Sequence, residues 1–274
     1  MFPSLPRPLL IAHRGASRDA PENTMEAFDL AVRLGAHVLE LDVRVSKDGV
    51  VVVMHDATVD RTTSGRGAVR DLTSSELGAL DAGHHFEPVR RDFRFRGRGA
   101  RVPRLEEVLA AYPKVGFNVE IKGDDPAAVK PVLDVLGHSG ASHLLLAAHD
   151  AGVMQALEAA RPGCALGLSM VQVREVVVAA WRGRSLEHYR GRALQIPVRD
   201  KRFAYGLLPI ATRRVIAHAH AAGIEVHIWT LNTPSHAVRW LARGADGVIT
   251  DDPSALLHLF PAGESEIALR RQRT

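Results

Sequence analysis

The stretch LLIAHRG, residues 9–15, shows the pattern from which the fold of this chain can be inferred: an apolar run ends directly in a titratable side chain, a cation and a glycine. The pattern returns in HVLELDV at residues 37–43 and in VVVMHD at residues 51–56. In a protein of repeated βα units, the carboxyl ends of the parallel strands form the open rim where chemistry takes place. These stretches therefore predict parallel strands whose functional groups meet at one rim.

Strand-like runs alternate with amphipathic helix patterns over most of the chain. The strand-like runs lie at residues 9–12, 37–43, 50–54, 115–121, 143–147, 165–168, 193–198, 224–230 and 247–250. If the run at 50–54 is an extension or hairpin of the strand before it, eight main strands remain. Eight strands in a chain of 274 residues predict an α/β protein with a single (β/α)8 TIM barrel. An open doubly wound sheet is the alternative that the periodicity allows.

Helix boundaries are predicted from capping residues. The helix patterns lie at residues 24–34, 74–80, 127–136, 209–222 and 234–243. Asn23 is the predicted N-cap of the first pattern, since its short polar side chain can accept a hydrogen bond from a free backbone N–H. Glycines are predicted to end the helices because they adopt the left-handed conformation easily: Gly35, Gly137, Gly223 and Gly244.

The pattern breaks once, in an insertion after the second strand at about residues 56–102. Within it, residues 90–101 (RRDFRFRGRGAR) place Phe93 and Phe95 between arginines. We interpret this segment as a loop over the barrel mouth; an RNA-binding tract and a contact with anionic lipid head groups are the alternatives. No second domain is evident, so we expect residues 1–274 to form one domain with a solvated tail at about 262–274.

Composition limits the classes of partner. The 35 Lys and Arg residues against 31 Asp and Glu give a net charge of only +4, which does not indicate a nucleic-acid-binding protein. Cys164 is the single cysteine, so no intramolecular disulfide can form. No apolar run approaches the roughly 20 residues that span a bilayer, and the first residues carry no signal-peptide pattern. We therefore expect a cytoplasmic protein without stable membrane insertion, and the oligomeric state stays open.

Three carboxylates at strand ends suggest a metal site. Glu40 and Asp42 are two residues apart on one strand, so their side chains project from the same face, and Glu120 has the matching place on the next main strand. Three oxygen ligands without cysteine favour one hard divalent cation, Mg²⁺ or Ca²⁺. The alternative is that these are capping or ion-paired carboxylates of the rim.

Two histidines and two cations follow the same strands. His13 and His55 titrate near neutral pH and can transfer protons in both directions. Arg14 suits bidentate binding of a phosphate, and Lys122 adds a point charge, although both cations can instead pair with the nearby carboxylates. Trp229 ends a later strand, where it forms either a wall of the substrate pocket or part of the core.

The chain resembles the glycerophosphodiester phosphodiesterase family, whose members, like phosphatidylinositol-specific phospholipase C, are TIM-barrel phosphodiesterases. The matching motifs, in the family's order, are HRGA (13–16), PENT (21–24), ELDV (40–43), KDG (47–49), HD (55–56), DRTT (60–63), EIK (120–122), VHIWTLN (226–232) and GVITDDP (247–253). The resemblance implies hydrolysis of small-molecule glycerophosphodiesters to glycerol 3-phosphate and an alcohol.

The same resemblance implies roles for individual residues. His13 and His55 would be the general acid and base, and Arg14 and Lys122 would contact the phosphate. The metal ligands would be Glu40, Asp42 and Glu120. One departure is AAHD at residues 147–150, where the family often has Ser-Phe; it bears on the shape of the pocket and thus on the preferred alcohol.

Three other functions compete with this interpretation. A lysophospholipase D-like enzyme would need an apolar channel, for which Phe86, Phe93 and Phe95 are candidates. A metal-dependent sugar isomerase usually has more carboxylates around two metals and less use for an arginine beside His13. A non-catalytic binding protein would be expected to have lost a histidine or a metal ligand, and here every one is present.

Overall fold

The apolar runs become β-strands in the computed structural model, which describes residues 2, 4–198 and 210–261. The strands in these residues are β1 (Leu9–His13), β2 (Val38–Val45), β3 (Val51–Val53), β4 (Gly116–Ile121), β5 (Leu144–Ala148), β6 (Ala165–Leu166), β7 (Ala193–Pro197), β8 (Glu225–Trp229) and β9 (Gly247–Thr250). The helices are α1 (Met25–Arg33), α2 (Ser74–Gly78), α3 (Leu105–Ala111), α4 (Val129–Ser139), α5 (Ala151–Ala160), α6 (Met170–Arg182), α7 (Arg213–Ala221), α8 (Pro234–Leu241) and α9 (Pro253–Leu256). Every predicted strand is present, although most of the ends shift by a residue or two.

Eight of the strands form a parallel ring in the order β6-β5-β4-β2-β1-β9-β8-β7. A bridge between Gly167, just after β6, and Ala193 of β7 joins the two ends of this order. The ring is therefore a nearly closed TIM barrel, as predicted, and the open doubly wound sheet is excluded. The remaining strand, β3, pairs antiparallel with β2 and is the predicted hairpin.

Along β1 and β2, the side chains that face the barrel interior change from apolar to titratable toward the carboxyl end. On β1, Leu9 and Ile11 are fully buried and share the inward face with His13, because side chains on one face recur every second residue. On β2, Val38 is likewise buried below Glu40. These apolar side chains belong to one cluster that fills the amino-terminal part of the barrel. The charged residues of the predicted site lie beyond this cluster, at the carboxyl-terminal end, although His227 on β8 is a fully buried polar side chain level with Leu9.

The insertion has a small core of its own. The apolar side chains of this core are Val52, Met54, Val59, Val69, Leu77, Ala82 and Val102. Within the insertion, α2 begins with a capping box, in which the side chain of Thr73 accepts from the backbone of Glu76 and the Glu76 side chain accepts in return. The segment between β3 and α3 is therefore packed against the barrel rather than loosely attached.

Two predicted helix boundaries are wrong. Thr24, not Asn23, is the N-cap of α1, with its side chain accepting from the N–H of Ala27. Helix α4 continues through Gly137 and ends at Gly140, which has a left-handed φ of 67°. A glycine inside a helix costs only about 1 kcal/mol relative to alanine, so the packing of this helix can outweigh it.

Most other boundaries agree, and parts of the predictions lie outside the described residues. Gly35, Gly223 and Gly244 all have positive φ just beyond their helices. Helix α7 begins only after Thr212, whose side chain caps it, so the predicted pattern starts too early at residues 210–212. Residue 209 of that pattern and the tail at 262–274 lie outside the described residues. In the described part of the chain, no helix has the length and apolar character required to cross a membrane.

Gly15 tests how tightly the first loop packs on α1. Its φ is +81°, and a Cβ there would lie 2.6 Å from the carbonyl carbon of Ala27. We expect Gly15→Ala to lose about 1–2 kcal/mol of unfolding free energy for the left-handed backbone and about 1–3 kcal/mol more for the crowding. Gly49→Ala is the matched control, because Gly49 has a φ of +79° and no heavy atom within 4 Å of the added Cβ. Urea unfolding of both variants measures the difference; equal losses would show that α1 moves aside without cost.

Candidate active site

Strand register brings the predicted residues together at the carboxyl-terminal rim. His13 is in register with Glu40 across β1 and β2, and Asp42 with Glu120 across β2 and β4. A cavity of about 760 Å³ opens at this rim. All the predicted site residues except Asp42 line it: His13, Arg14, Glu40, His55, Glu120, Lys122 and Trp229. Asp42 is fully buried and supports the neighbouring charges.

The three carboxylates form a group that can hold an ion. Ligand oxygens of Glu40, Asp42 and Glu120 all lie within 4.8 Å of one another. Burial, reinforced by the negative charge of Asp42, raises the pKa of Glu40 well above its usual range. A cation would relieve this repulsion, and an oxygen-only ligand set suits a hard divalent ion. The residues present therefore fit the metal that the resemblance implies.

Asp42 is held by cations and by an amide. Lys122 Nζ lies 3.0 Å from Asp42 Oδ1 and 2.8 Å from Glu120 Oε1, and Arg14 Nε lies 3.0 Å from Asp42 Oδ2. Burial alone would raise the pKa of Asp42, but Lys122 and Arg14 outweigh it and hold this pKa below its usual range. Asn23 donates from Nδ2 to Asp42 Oδ2 at 2.8 Å. Sequence reasoning assigned no such role to Asn23, although the PENT motif contained it.

The ring of His13 is fixed by an aspartate from the other end of the chain. Its Nδ1 lies 2.6 Å from Asp251 Oδ1, and its Nε2 lies 4.0 Å from Glu40 Oε2. Asn232 Nδ2 donates to the second oxygen of Asp251 at 2.8 Å. Burial would lower the pKa of His13, but Glu40 and then Asp251 outweigh it, so this pKa is raised. Because a carboxylate only accepts, His13 donates from Nδ1 and presents Nε2 as its reactive nitrogen.

His55 has the same arrangement with a different aspartate. Its Nδ1 lies 2.6 Å from Asp56 Oδ1. Hydrogen bonds from Arg61, which outweigh the opposing effect of burial, lower the pKa of Asp56 to about 2, so the aspartate stays ionised. Sequence reasoning had not assigned Asp56, Arg61 or Asp251 a role; the only signals were the HD, DRTT and GVITDDP motifs.

The opposite side of the cavity is largely apolar, with Gln195 of β7 as a polar side chain in its lining. The residues that line this side come from the segment after β6, from β7 and β8, and from the described residues just before α7. The strands β6, β7 and β8 lie across the ring from β1, β2 and β4. The apolar lining residues are Leu168, Met170, Val171, Val173, Pro197, Ile210 and Trp229. Ala147, Ala148, His149 and Asp150 line the cavity as well, at the place where the sequence departs from the family's usual Ser-Phe.

The arginine-rich segment does not form this wall. The described residues that line the cavity include neither Phe86 nor any member of residues 90–101, so Phe86, Phe93 and Phe95 do not form the apolar channel considered from the sequence. Instead, Phe86 and Phe95 pack edge to face at 5.4 Å, and Arg96 stacks over Phe93 at 3.8 Å. The aromatic side chains are thus used within the insertion itself.

Comparisons with known proteins agree with the fold. Residues 13–255 match the Glycerophosphoryl diester phosphodiesterase family. A glycerophosphodiester phosphodiesterase of Caldanaerobacter subterraneus subsp. tengcongensis is 31% identical, with 93% of this chain and 98% of that protein covered. Lysophospholipase D GDPD1 of Homo sapiens is 29% identical, with 92% of this chain and 87% of that protein covered.

A solved structure gives the same result. It is that of an Oleispira antarctica phosphodiesterase in complex with the product sn-glycerol-3-phosphate, 28% identical, with a TM-score of 0.72 and with 90% of this chain and 94% of that chain covered. Fold, site and comparisons together define a TIM-barrel phosphoric diester hydrolase. The chain belongs to the glycerophosphoryl diester phosphodiesterase family, and it is a glycerophosphodiester phosphodiesterase.

Lys122 tests the electrostatic balance of the carboxylate group. Lys122→Met leaves the buried Asp42 with one cation fewer, so we expect the free energy of unfolding at pH 7 in EDTA to fall by about 3 kcal/mol. Lys130→Met is the control, because the pair of Lys130 with Asp134 is exposed and such a pair within a helix contributes about 0.5 kcal/mol or less. Urea unfolding measures both; a loss for Lys122→Met no greater than the control would show that Arg14 alone balances Asp42.

Proposed function

We propose that this enzyme hydrolyses small glycerophosphodiesters to sn-glycerol 3-phosphate and an alcohol, with one divalent cation and with His13 and His55 as the acid and base. The observation that carries the proposal is the pair of imidazoles, each with Nδ1 held by a carboxylate, at the cavity that also contains Glu40 and Glu120. The product named for the Oleispira antarctica structure supports the same substrate class.

Residues 1–274 would act as one catalytic domain. The first strand, β1, pairs directly with the last, β9, so the barrel needs both ends of the chain. His13 lies on β1, while Asp251, which holds its ring, directly follows β9. This closure supports a single catalytic unit rather than two independent parts.

The cation would be held by Glu40, Asp42 and Glu120. Mg²⁺ and Ca²⁺ both prefer oxygen ligands and fit this donor set. When bound, such a cation supplies charge neutralisation at a phosphate oxygen and lowers the pKa of a coordinated hydroxyl. Asn23 and Lys122 keep the buried Asp42 ionised and in place for this role.

The two histidines would move the protons. One imidazole, neutral, takes the proton of the attacking hydroxyl at its Nε2, and the other, protonated, gives a proton from Nε2 to the oxygen of the departing alcohol. The P–O bond to that alcohol breaks as the new P–O bond forms. If water attacks directly, this single step gives glycerol 3-phosphate. If a glycerol hydroxyl attacks first, the step gives a cyclic phosphate, and water must then open the ring, with each histidine taking the opposite proton-transfer role and one ring P–O bond breaking.

Fixed positive charge would stabilise the phosphorus centre. Arg14 and Lys122 both line the cavity, and their charges offset the negative charge that develops on the phosphate oxygens. Trp229 would form part of the wall against which the rest of the substrate packs. These cations also pair with the carboxylates, so one set of contacts orders the site before the substrate binds.

A second candidate activity is that of a lysophospholipase D. The apolar side of the cavity favours it, since Met170 and Val171 could contact an acyl chain at the mouth. Val171 is 59% exposed there, as a residue that meets a lipid tail would be. The human relative carries this activity in its name.

Replacing either histidine tests the acid–base proposal. We expect His13→Ala and His55→Ala each to lower kcat by about two to four orders of magnitude, the usual contribution of a general acid or base. His236→Ala on α8 is the control, since this histidine is exposed and does not line the cavity. Steady-state release of glycerol 3-phosphate from glycerophosphocholine is the measurement. Near-wild-type turnover in either variant removes that residue from the mechanism.

Metal removal tests the cofactor and the substrate together. The EDTA-stripped protein should release no glycerol 3-phosphate from glycerophosphocholine, and Mg²⁺ or Ca²⁺ should restore release. In calorimetric titration with each ion, Glu40→Gln should bind about 10- to 100-fold more weakly or not measurably. Glu106→Gln, a change of an exposed glutamate, should bind like the wild type.

Choline release, which follows cleavage of either glycerophosphocholine or lysophosphatidylcholine, separates the two candidate activities, because a lysophospholipase D leaves lysophosphatidic acid and no glycerol 3-phosphate. Faster metal-restored cleavage of glycerophosphocholine supports the proposed function. Faster cleavage of lysophosphatidylcholine favours the second candidate. Activity that EDTA leaves unchanged contradicts the metal requirement for both.

A further inference from the structure

Two residues of the sequence motifs have no role in the proposed function: Glu22 of PENT and Arg61 of DRTT. In the structure they meet. We propose that Arg61 is a positioning residue that sets the orientation of both His55 and Arg14 by holding Asp56 and Glu22 on a single guanidinium group. The inference rests on the proposed function, because it concerns how two groups of that site are oriented.

The guanidinium of Arg61 bridges two carboxylates. Toward Asp56, Nε donates to Oδ2 at 2.6 Å and one terminal nitrogen donates to Oδ1 at 3.2 Å. Toward Glu22, the two terminal nitrogens donate to the two carboxylate oxygens, both at 2.7 Å. Only a planar fork with several N–H donors makes both bidentate contacts at once, which a lysine ammonium cannot do.

Each bridged carboxylate also reaches into the site. Asp56 Oδ1 lies 2.6 Å from His55 Nδ1, and Glu22 Oε1 accepts from a terminal nitrogen of Arg14 at 2.9 Å. Asp56 therefore decides which nitrogen of the His55 ring carries the proton in the neutral form. Glu22 decides which guanidinium nitrogens of Arg14 remain for a phosphate.

Arg61 holds the two carboxylates from outside the cavity. It is not among the described residues that line the cavity, and about half of its side chain (49%) is exposed. Its four hydrogen bonds to described residues all go to Asp56 and Glu22, so the guanidinium is occupied by these carboxylates rather than open to a ligand. Exposed ion pairs contribute little to stability. The consequence of these bonds is therefore expected in the geometry of the site, not in folding.

The backbone around Arg61 is held rigid by the insertion. Thr63 is fully buried, and its hydroxyl donates to the carbonyl of Val59 at 2.8 Å. Asp60 Oδ2 accepts from the N–H of Gly67 at 3.0 Å. Val59 is buried in the small core of the insertion. The small core of the insertion therefore fixes the position of Arg61, whose guanidinium orients Asp56 and Glu22.

A double-mutant cycle tests whether Arg61 acts through His55. We expect Arg61→Ala to lower kcat by about 10- to 100-fold in the wild-type background, as for a small misplacement of a reacting group. In the His55→Ala background the same change should cost less than about twofold in kcat, because its target is gone. Arg70→Ala, a change of an exposed arginine of the same insertion, should leave kcat and KM unchanged in both backgrounds.

The two arms of the bridge should separate in steady-state kinetics. Asp56→Asn should lower mainly kcat, through His55. Glu22→Gln should raise mainly KM, through Arg14. Arg61→Ala should do both, and Arg61→Lys should recover only part of each, since lysine keeps the charge without the fork. The melting temperature of every variant should stay close to that of the wild type.

A spectroscopic readout makes the inference independent of turnover. Long-range ¹H–¹⁵N spectra of the histidine rings should show the Nδ1–H form for His55 in the wild type and a mixture of tautomers in Arg61→Ala. His13 serves as the internal control, because its ring is held by Asp251 and should not change.

An unchanged His55 spectrum together with a full additional loss in the His55→Ala background overturns the inference and makes Arg61 a structural residue. If His55→Ala is itself fully active, the proposed acid–base function fails while the ring spectra still decide the positioning role. The two failures are therefore distinguishable.

Discussion

The buried carboxylate of Asp42 is the constraint on which the rest of the site depends. A charge taken out of water is costly unless it is paired, so a fully buried aspartate requires partners. Arg14, Lys122 and Asn23 are those partners; Arg14 and Asn23 come from the loop between β1 and α1, and Lys122 directly follows β4. Balancing one negative charge thereby fixes two cations at the mouth of the cavity. The order of the site follows from this balance before any ligand arrives.

The barrel divides its rim into two chemical halves. Strands β1, β2 and β4 and the segments after them supply most of the charged groups. The segment after β6, together with β7 and β8, supplies the largely apolar wall that includes Trp229. A phosphodiester also has two halves, a charged phosphorus centre and an alcohol of variable character. The segment at residues 147–150 lies on β5 and its loop, between these halves, and also lines the cavity. Substrate preference can thus change on the apolar side without disturbing the charged side.

The sequence was informative wherever a local rule decides the outcome. Strand positions follow from apolar runs, and residues such as His13 and Glu40 meet because the ends of parallel strands share one rim. Gly137 misled because the packing of α4 outweighs the small cost of an internal glycine. The partnership of His13 with Asp251, 238 residues away, depends on closure of the ring, which no local pattern encodes. For the same reason the place of Phe93 within the insertion, away from the cavity, could not be read from its composition.

The contact between His13 and Asp251 affects when the site can form during synthesis of the chain. Synthesis delivers the amino-terminal part first, so both histidines and all three carboxylates leave the ribosome long before residue 251. During that interval the ring of His13 lacks its aspartate, and β1 lacks β9 along one edge. The proposed acid–base pair has both of its aspartates only when the last strand has docked. A chain that stops before residue 251 would thus carry both histidines and all three carboxylates without the aspartate that holds the ring of His13.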